Sequence, residues 1–326
     1  MAENSNKRNQ LTDVFRLVLI LMVIAIHAGI FSANSLLSFY TVDGFFRVAV
    51  PVFFIINGFY FQKQVTDFFK FKKWFKRVVL LFVSWQVIYL PLYLPVRDIN
   101  ANHLAVFFSE LIFGYHHLWY IAAMAMGGVG LYFLRNRSYI IFICIGLFFT
   151  GTILQYTRVF LKPDSLYYKV FSQYWIFRNG LFFGFPMMYI GSCLARNKFI
   201  QKVRVDKLML MLVLGCGVLM AELTFVYFFV FKGDSYHIDF ILSLLLLCPA
   251  IFIFLMKDTG VYFKSFNTKN LALICGAMYF IHPYVIFFLT LSETLSCNEV
   301  YVLTVVITLL LSTLLFLLKN RLHFLL

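Results

Sequence analysis

The chain alternates between long runs of apolar residues and short polar connections, which is typical of a protein that crosses a membrane many times. A hydrocarbon core of about 30 Å needs roughly 20 apolar residues in a helix. Ten runs approach that length, and they cover residues 14–31, 43–62, 78–96, 118–134, 138–157, 175–195, 208–230, 238–256, 270–291 and 300–318. The pattern therefore predicts an all-α, polytopic membrane protein of about ten transmembrane helices. The run 104–113 is too short to span and is interpreted as a surface or re-entrant segment.

The composition agrees with this fold class. Of the 326 residues, 62% are hydrophobic and only 13% are charged, whereas a soluble domain has about 25% charged residues. No polar stretch is long enough for an attached soluble domain, so we expect a single membrane domain over 1–326, with 1–12 as a cytoplasmic tail. Arg16 and His27 interrupt the first apolar run and no cleavage site follows it, so we predict a retained helix and not a signal peptide.

Basic residues are distributed unevenly between the loops on the two sides of the predicted spans. Most of the 28 Lys and Arg residues fall in the amino-terminal tail and in every second loop. The alternate loops carry only Arg97, Arg158, Lys162, Lys169 and Lys232. Because strongly basic loops stay in the cytoplasm, both termini are predicted to be cytoplasmic. This asymmetry and attraction to anionic lipid explain the net charge of +14. We therefore expect a lipid bilayer as partner and no nucleic acid, and the pattern is compatible with an oligomer.

Three arginines lie in or at the ends of spans, where topology does not require them, namely Arg16, Arg47 and Arg178. A charge inside a bilayer is costly unless it meets a partner or a polar cavity. Arg16 shares its span with His27, which lies about three turns and about 16 Å further along nearly the same helix face. Arg16 is expected near the cytoplasmic side and His27 in the outer half of the membrane. This pair is the first candidate for a function.

A second set of polar or aromatic side chains is expected in a cavity near the outer leaflet, around His27. We expect this set to bind an acceptor molecule, and it comprises Arg47, His117, Trp119, Arg178, Glu222 and His282. Simpler explanations exist, because Arg and His at span ends often extend to the headgroups and Trp is enriched at the membrane interface. Glu222 suits a structural or a proton-carrying acid equally well. The six cysteines form no CxxC pair, which indicates neither a metal site nor a disulfide framework.

The residue types suggest transfer of a group across the membrane. An imidazole suits general base catalysis near neutral pH, and guanidinium groups suit phosphates or a developing oxyanion. A cytoplasmic arginine and an outer histidine therefore fit a phosphate-bearing acyl donor that enters from inside and an acceptor that is reached from outside. The basic loop 63–77 lies on the donor side, where it is also explained as a determinant of topology.

Four motifs make the chain resemble the acyltransferase family 3 of integral membrane proteins. They are the spacing Asp13-x2-Arg16-x10-His27, the segment FRVAVPVFFIINGF at 46–59, HLWYI at 117–121 and YFIHP at 279–283. The resemblance covers nearly the whole chain. It implies ten spans and transfer of an acetyl group from acetyl-CoA, used as a substrate and not as a bound cofactor, to a hydroxyl such as that of a cell-envelope carbohydrate.

The resemblance also implies roles for individual residues and a location. His27 carries the essential role, with Arg16 and Asp13 beside it as catalytic residues. Donor binding falls on Arg16, Lys73, Lys76 and Arg77, and no metal is implied. We expect a multi-pass protein of a plasma membrane, most consistent with a bacterium.

The segment RNGLFFGFPMMYIG, at 178–191, is similar to one branch of that family, the membrane half of vancomycin-resistance serine/alanine racemases. The chain ends at Leu326, just after the last predicted span, so racemase activity is not expected of it. That branch leaves a second function open. The same polar cavity would serve a permease for a small molecule such as a serine-like amino acid, with His27 or Glu222 as proton carrier.

Overall fold

The structure is a computed structural model that describes residues 9–94, 101–196, 199–233, 237–257, 268–291 and 293–326. These residues form helices and connecting loops without a β-strand, which confirms the all-α class. The α-helices are α1 Gln10–Ala28, α2 Ser35–Thr41, α3 Ala49–Gln64, α4 Phe68–Tyr93, α5 Ala101–Phe113, α6 Trp119–Leu134, α7 Ile140–Thr157, α8 Leu166–Phe171, α9 Phe185–Arg196, α10 Phe199–Lys202, α11 Val205–Phe225, α12 Leu244–Met256, α13 Thr268–Thr290 and α14 Cys297–Leu317.

Eight helical segments of the described residues are long and apolar enough to cross a membrane. They are Gln10–Ala28, Ser35–Gln64, Phe68–Tyr93, His116–Leu134, Ile140–Phe160, Val205–Val230, Asn270–Thr290 and Cys297–Leu317. The two other predicted spans, 175–195 and 238–256, contain the shorter helices α9 and α12. The count of ten and the cytoplasmic termini therefore stay predictions.

Some boundaries differ from those expected. Helix α1 begins at Gln10, so residues 10–12 of the expected tail are helical, while residues 1–8 lie outside the described part of the chain. Arg97 and the end of the predicted span 78–96 also lie outside it. The short apolar run 104–113 falls in α5, which is too short to span.

Helices α3 and α9 pack closely at the centre of the bundle because glycines meet backbone at their contact. A Cβ atom on Gly58 would overlap the carbonyl of Met188, and one on Gly191 would overlap the carbonyl of Ile55. Small residues of this kind allow two helix backbones to approach closely within a membrane. Residues 185–192 of α9 are all buried, which explains how so short a helix stays inside the bundle.

Helix α1 is fixed at both ends. Asn9 caps its first turn by accepting a hydrogen bond from the backbone N–H of Thr12 (2.9 Å), and its amide donates to the carbonyl of Leu255 at the end of α12 (2.8 Å). The helix ends at Gly29, whose φ of 65° is the left-handed conformation that favours glycine. His27 therefore lies in the last turn, where the adjoining elements build a cavity.

The α3–α9 contact gives a test of the packing. We expect Gly191→Ala to lower the free energy of unfolding by about 1–3 kcal/mol, because the new methyl group has no room against α3. The matched control is Gly146→Ala on α7, where a Cβ would meet no atom within 4 Å. Thermal unfolding of both variants in one detergent measures the difference, and equal melting temperatures would contradict this packing.

Candidate active site

A cavity of about 430 Å³ opens beside the last turn of α1. Its walls come from α1, α5, the turn before α6, and the segments around residues 173–178 and 237–239. Its polar and aromatic lining includes His27, Arg47, Glu110, His116, Trp119, Tyr174, Arg178, His237 and Asp239. Of the side chains that the sequence predicted for one outer cavity, His27, Arg47, Trp119 and Arg178 line it.

Four histidines lie together at one wall of this cavity. The ring centroid of His27 is 4.7 Å from that of His116 and 5.2 Å from that of His282. His117 lies 5.4 Å from His282, on the side away from the cavity. Among the described residues, neither ring nitrogen of His27 has a hydrogen-bond partner, and the ring is only partly buried. His27 is therefore free to take a proton from a molecule in the cavity.

The turn between α5 and α6 brings His116 to this position. Gly114 has a φ of 97°, and a Cβ atom there would overlap the backbone of Leu118 and Trp119. His116 also has a positive φ, 48°, which is uncommon for a residue with a side chain. The tight turn points the His116 ring at the cavity and sends His117 inward.

His117 and His282 are completely buried, which differs from the predicted contact with an acceptor. The His117 ring packs 5.0 Å from Tyr89 and 5.2 Å from Tyr279, measured between centroids. The Nδ1 atom of His282 lies 3.2 Å from the carbonyl oxygen of Met278. These two rings support His27 and His116 from behind and do not line the cavity.

A chain of ion pairs, buried at Arg47, Asp43 and Asp239, forms another part of the cavity. The two terminal nitrogens of Arg47 donate to Asp239 (2.7 Å) and to Asp43 (2.6 Å). Arg178 donates to the other oxygen of Asp239 (3.3 Å), and His237 Nδ1 lies 2.9 Å from Asp43. The acidic partners explain how the two arginines are tolerated, because a charge buried in a membrane protein needs a partner.

Arg178 also faces aromatic rings. Its guanidinium carbon lies 5.1 Å from the centroid of Trp119 and 4.5 Å from that of Tyr174, both within the range of a cation–π interaction. Its Nε atom is buried and has no hydrogen-bond partner among the described residues. The Nε atom of Arg47 is buried without a partner as well. Arg47 uses both terminal nitrogens on carboxylates and Arg178 uses one, so Arg178 is the arginine better placed to bind a ligand.

The predicted donor residues lie elsewhere. Arg16 pairs with Asp13 (3.0 Å) near the first turn of α1, and its guanidinium carbon is 5.9 Å from the Tyr60 ring. Lys73, Lys76 and Arg77 are exposed on α4. Arg77 donates to the carbonyl of the C-terminal Leu326 (3.3 Å). The structure thus separates the Arg16 end of α1 from the histidine cavity, and no described contact joins the α4 cations to Arg16.

Glu222 does not lie in the histidine cavity. Its two carboxylate oxygens accept hydrogen bonds from the backbone N–H groups of Leu242 and Ser243, each at 2.7 Å, just before α12. A carboxylate at a helix amino terminus satisfies unpaired N–H groups and suits the helix dipole. This geometry favours the structural explanation of Glu222 over acceptor binding.

Sequence reasoning missed five polar residues of the site, which are Asp43, Glu110, His116, His237 and Asp239. Asp43 stands four positions before Arg47, a spacing that indicates an ion pair on one helical face. His116 is adjacent to a residue that was predicted. Glu110 lies in α5, outside the candidate spans, and burial raises the pKa of its carboxyl group.

Among the residues that the structure describes, no group of three or more His, Cys, Asp or Glu side chains is arranged to hold a metal ion. The lining of the cavity instead combines imidazoles, paired charges and aromatic rings. Such a site can bind a polar small molecule and remove a proton from it.

Comparison with known proteins identifies a family and several distant relatives of this chain. A family model described as an acyltransferase domain (Acyl_transf_3) matches residues 11–318. The chain is 25% identical over 291 residues to an amino-acid racemase of Enterococcus faecalis, which covers 84% of this chain and 40% of that protein. It is 24% identical over 303 residues to a serine/alanine racemase of Enterococcus gallinarum, covering 86% and 41%. The chain thus spans well under half the length of these relatives. No solved structure matches it significantly.

The carboxylate of Asp239, which both Arg47 and Arg178 contact, allows a test of these ion pairs. We expect Asp239→Ala to lower the free energy of unfolding by about 3–5 kcal/mol, because the buried guanidinium group of Arg47 and the partly buried one of Arg178 each lose a partner. Asp164→Ala is the matched control, since Asp164 is exposed in a loop. Thermal unfolding in detergent measures both variants, and a control-like result for Asp239→Ala would contradict the role of these pairs.

Proposed function

The chain belongs to the acyltransferase domain family (Acyl_transf_3), whose model matches residues 11–318, and from this premise we propose that it is an O-acyltransferase. It moves an acyl group, such as acetyl, from acyl-CoA to a hydroxyl group of an acceptor, such as a cell-envelope carbohydrate. The observation that carries the proposal is the His27 ring, which lines a polar cavity and has no hydrogen-bond partner among the described residues. The proposed location is the plasma membrane of a bacterium, as a multi-pass protein.

In this proposal His27 is the general base. Its neutral imidazole takes the hydroxyl proton of the acceptor while the hydroxyl oxygen attacks the thioester carbonyl carbon. The carbon–sulfur bond then breaks, and the thiolate of CoA leaves with the electron pair. Positioned proton transfer of this kind contributes about 10²–10⁴-fold to the rate.

His116 is the residue best placed to return the proton. Its ring is 4.7 Å from His27, lines the same cavity and has no hydrogen-bond partner among the described residues. In the proposed reaction the proton passes from the His27 imidazolium, directly or through His116, to the thiolate. His117 and His282 hold the two reacting imidazoles in place, because both rings are fully buried behind them.

The acceptor is proposed to lie against Trp119 and Arg178. An aromatic face suits the apolar side of a sugar ring, and a guanidinium group with only one terminal nitrogen on a carboxylate suits hydroxyl or anionic oxygens. Arg47 fixes Asp239 and thereby the orientation of Arg178. The donor is proposed to lie with its phosphates near Arg16 and the exposed Lys73, Lys76 and Arg77, so that its long arm reaches along α1 towards His27.

The role of His27 as general base is tested in membranes that contain the protein, with acetyl-CoA labelled in its acetyl group. We expect His27→Ala to lower transfer of label to the acceptor fraction by at least about 100-fold, because it removes the imidazole that accepts the proton. His323→Ala is the control, since His323 is exposed near the C-terminus. Undiminished transfer by folded His27→Ala would rule out this mechanism.

A second candidate function is a permease for a serine-like amino acid. It is favoured by one observation, the names of the relatives, which are amino-acid and serine/alanine racemases. In this alternative, Arg178 pairs with the carboxylate of the amino acid and His27 carries a proton.

The two functions differ in their need for acyl-CoA. A permease predicts uptake of labelled L-serine into vesicles without acyl-CoA, and loss of that uptake in Arg178→Gln. The proposed transferase predicts that uptake equals that of protein-free vesicles. Uptake that depends on Arg178 but not on acyl-CoA would replace the first function by the second.

A further inference from the structure

A second cavity, of about 950 Å³, shares no lining residue with the histidine cavity. Its walls are the second half of α7, the end of α11 with the π-helix Val226–Val230, and the segment that leads into α12. Phe149 and Phe225, which line it, are 51% and 58% exposed. The first two walls belong to candidate membrane spans, so their exposed apolar side chains suit contact with lipid. We propose that this groove binds an acyl chain of a glycerophospholipid, with an ester carbonyl of the lipid at Ser243.

The floor of the groove is polar, although its walls are apolar. Ser243 lines it and is 4% exposed, and its Oγ atom has no hydrogen-bond partner among the described residues. A buried hydroxyl without a partner is unfavourable, especially where no bulk water can reach it. The carboxylate of Glu222 lies beside it and is already bonded to two backbone N–H groups. The open position therefore suits a ligand that offers a hydrogen-bond acceptor to the Ser243 hydroxyl.

The groove is long enough and apolar enough to suit an acyl chain. It follows α7 from Phe149 to Thr157, eight residues or about 12 Å along the helix axis. Apolar side chains make up most of its lining. An ester carbonyl at Ser243 then leaves the acyl chain along the apolar wall, beside Ile153 and Phe225.

A transmembrane helix of a partner is a poorer occupant than a lipid. The backbone carbonyls of a spanning helix are already bonded within the helix, so only a side chain could accept from Ser243. A lipid ester has a free carbonyl oxygen on a thin, flexible chain. The π-helix that forms one wall is a rare element that is frequent at functional sites, which supports a ligand at this position.

The groove and the histidine cavity share one segment of backbone. Gln155 accepts hydrogen bonds from the N–H groups of Asp239 (2.7 Å) and Phe240 (2.9 Å), and Glu222 holds the N–H groups of the next turn. Asp239 faces the histidine cavity, whereas Ser243 faces the groove. A bound lipid would therefore stabilise the segment that carries Asp239. This inference is independent of the proposed acyl transfer.

The test uses purified full-length protein in vesicles of phosphatidylethanolamine and phosphatidylglycerol. The probe is phosphatidylglycerol with a photoactivatable diazirine in one acyl chain, and labelled peptides are mapped by mass spectrometry. We expect labels to concentrate in residues 149–160 and 218–230. Ala221→Trp should abolish this labelling, because Ala221 lines the groove and a Trp side chain would fill it. Val213→Trp, an exposed position on the same helix outside the groove, should leave labelling unchanged.

A smaller change tests the hydrogen bond without filling the groove. We expect Ser243→Ala to raise the half-saturating probe concentration about threefold, the usual effect of one hydrogen bond inside a membrane. Unchanged saturation would overturn the assignment to Ser243. The groove could instead be labelled no more strongly than the exposed face of α14, with no change in Ala221→Trp. That result would show only general contact with lipid and would overturn the proposal. Displacement of the probe by a polyprenyl phosphate but not by unlabelled phosphatidylglycerol, or crosslinks to a second copy, would overturn the choice of occupant.

Discussion

The carboxylate of Asp239 is the contact on which the histidine end of the bundle depends. One oxygen accepts from Arg47 and the other from Arg178, so a single side chain joins the start of the second long apolar segment to the loop before α9. Its backbone N–H is held by Gln155 of α7. Buried charges tolerate little displacement, because each guanidinium group that loses its partner is left unsatisfied. The arginine wall of the cavity is therefore rigid, and it fixes the distance across which a ligand meets the imidazoles.

The sequence predicted the site residues that are charged or polar within an apolar run, because burying such a residue in a membrane costs free energy. Arg16, Arg47, Arg178 and His27 could be identified because charge or imidazole inside a span needs an explanation. The apolar pattern likewise predicted an all-helical membrane protein. It did not distinguish long spans from the short helices α9 and α12, because a buried helix and a lipid-facing helix are both apolar.

Features that depend on contacts distant in sequence could not be predicted. Asp239 is separated by 192 positions from Arg47 and by 61 positions from Arg178, and nothing near it indicates these partners. The sequence indicated His117 and not the adjacent His116, although His116 is the one that lines the cavity. That difference comes from the positive φ angles of Gly114 and His116, which the residue types alone do not indicate. The sequence left Glu222 open between a structural and a functional role, because the start of α12 that it caps was unknown.

Helix α1 carries Arg16 and His27 on a single continuous rod that contains neither proline nor glycine. Both of its ends are tied to other helices, one by Asn9 to α12 and the other by the backbone N–H of Phe31, which donates to Asn298 of α14 (3.2 Å). The two residues therefore keep a constant separation, and neither can approach the other by bending of the helix. A protein that alternately opens to the two sides of a membrane must change its shape around the bound molecule. The proposed transferase needs no such change in α1. Only the acyl group would have to move from the Arg16 end of the helix to His27, carried by the flexible arm of the donor.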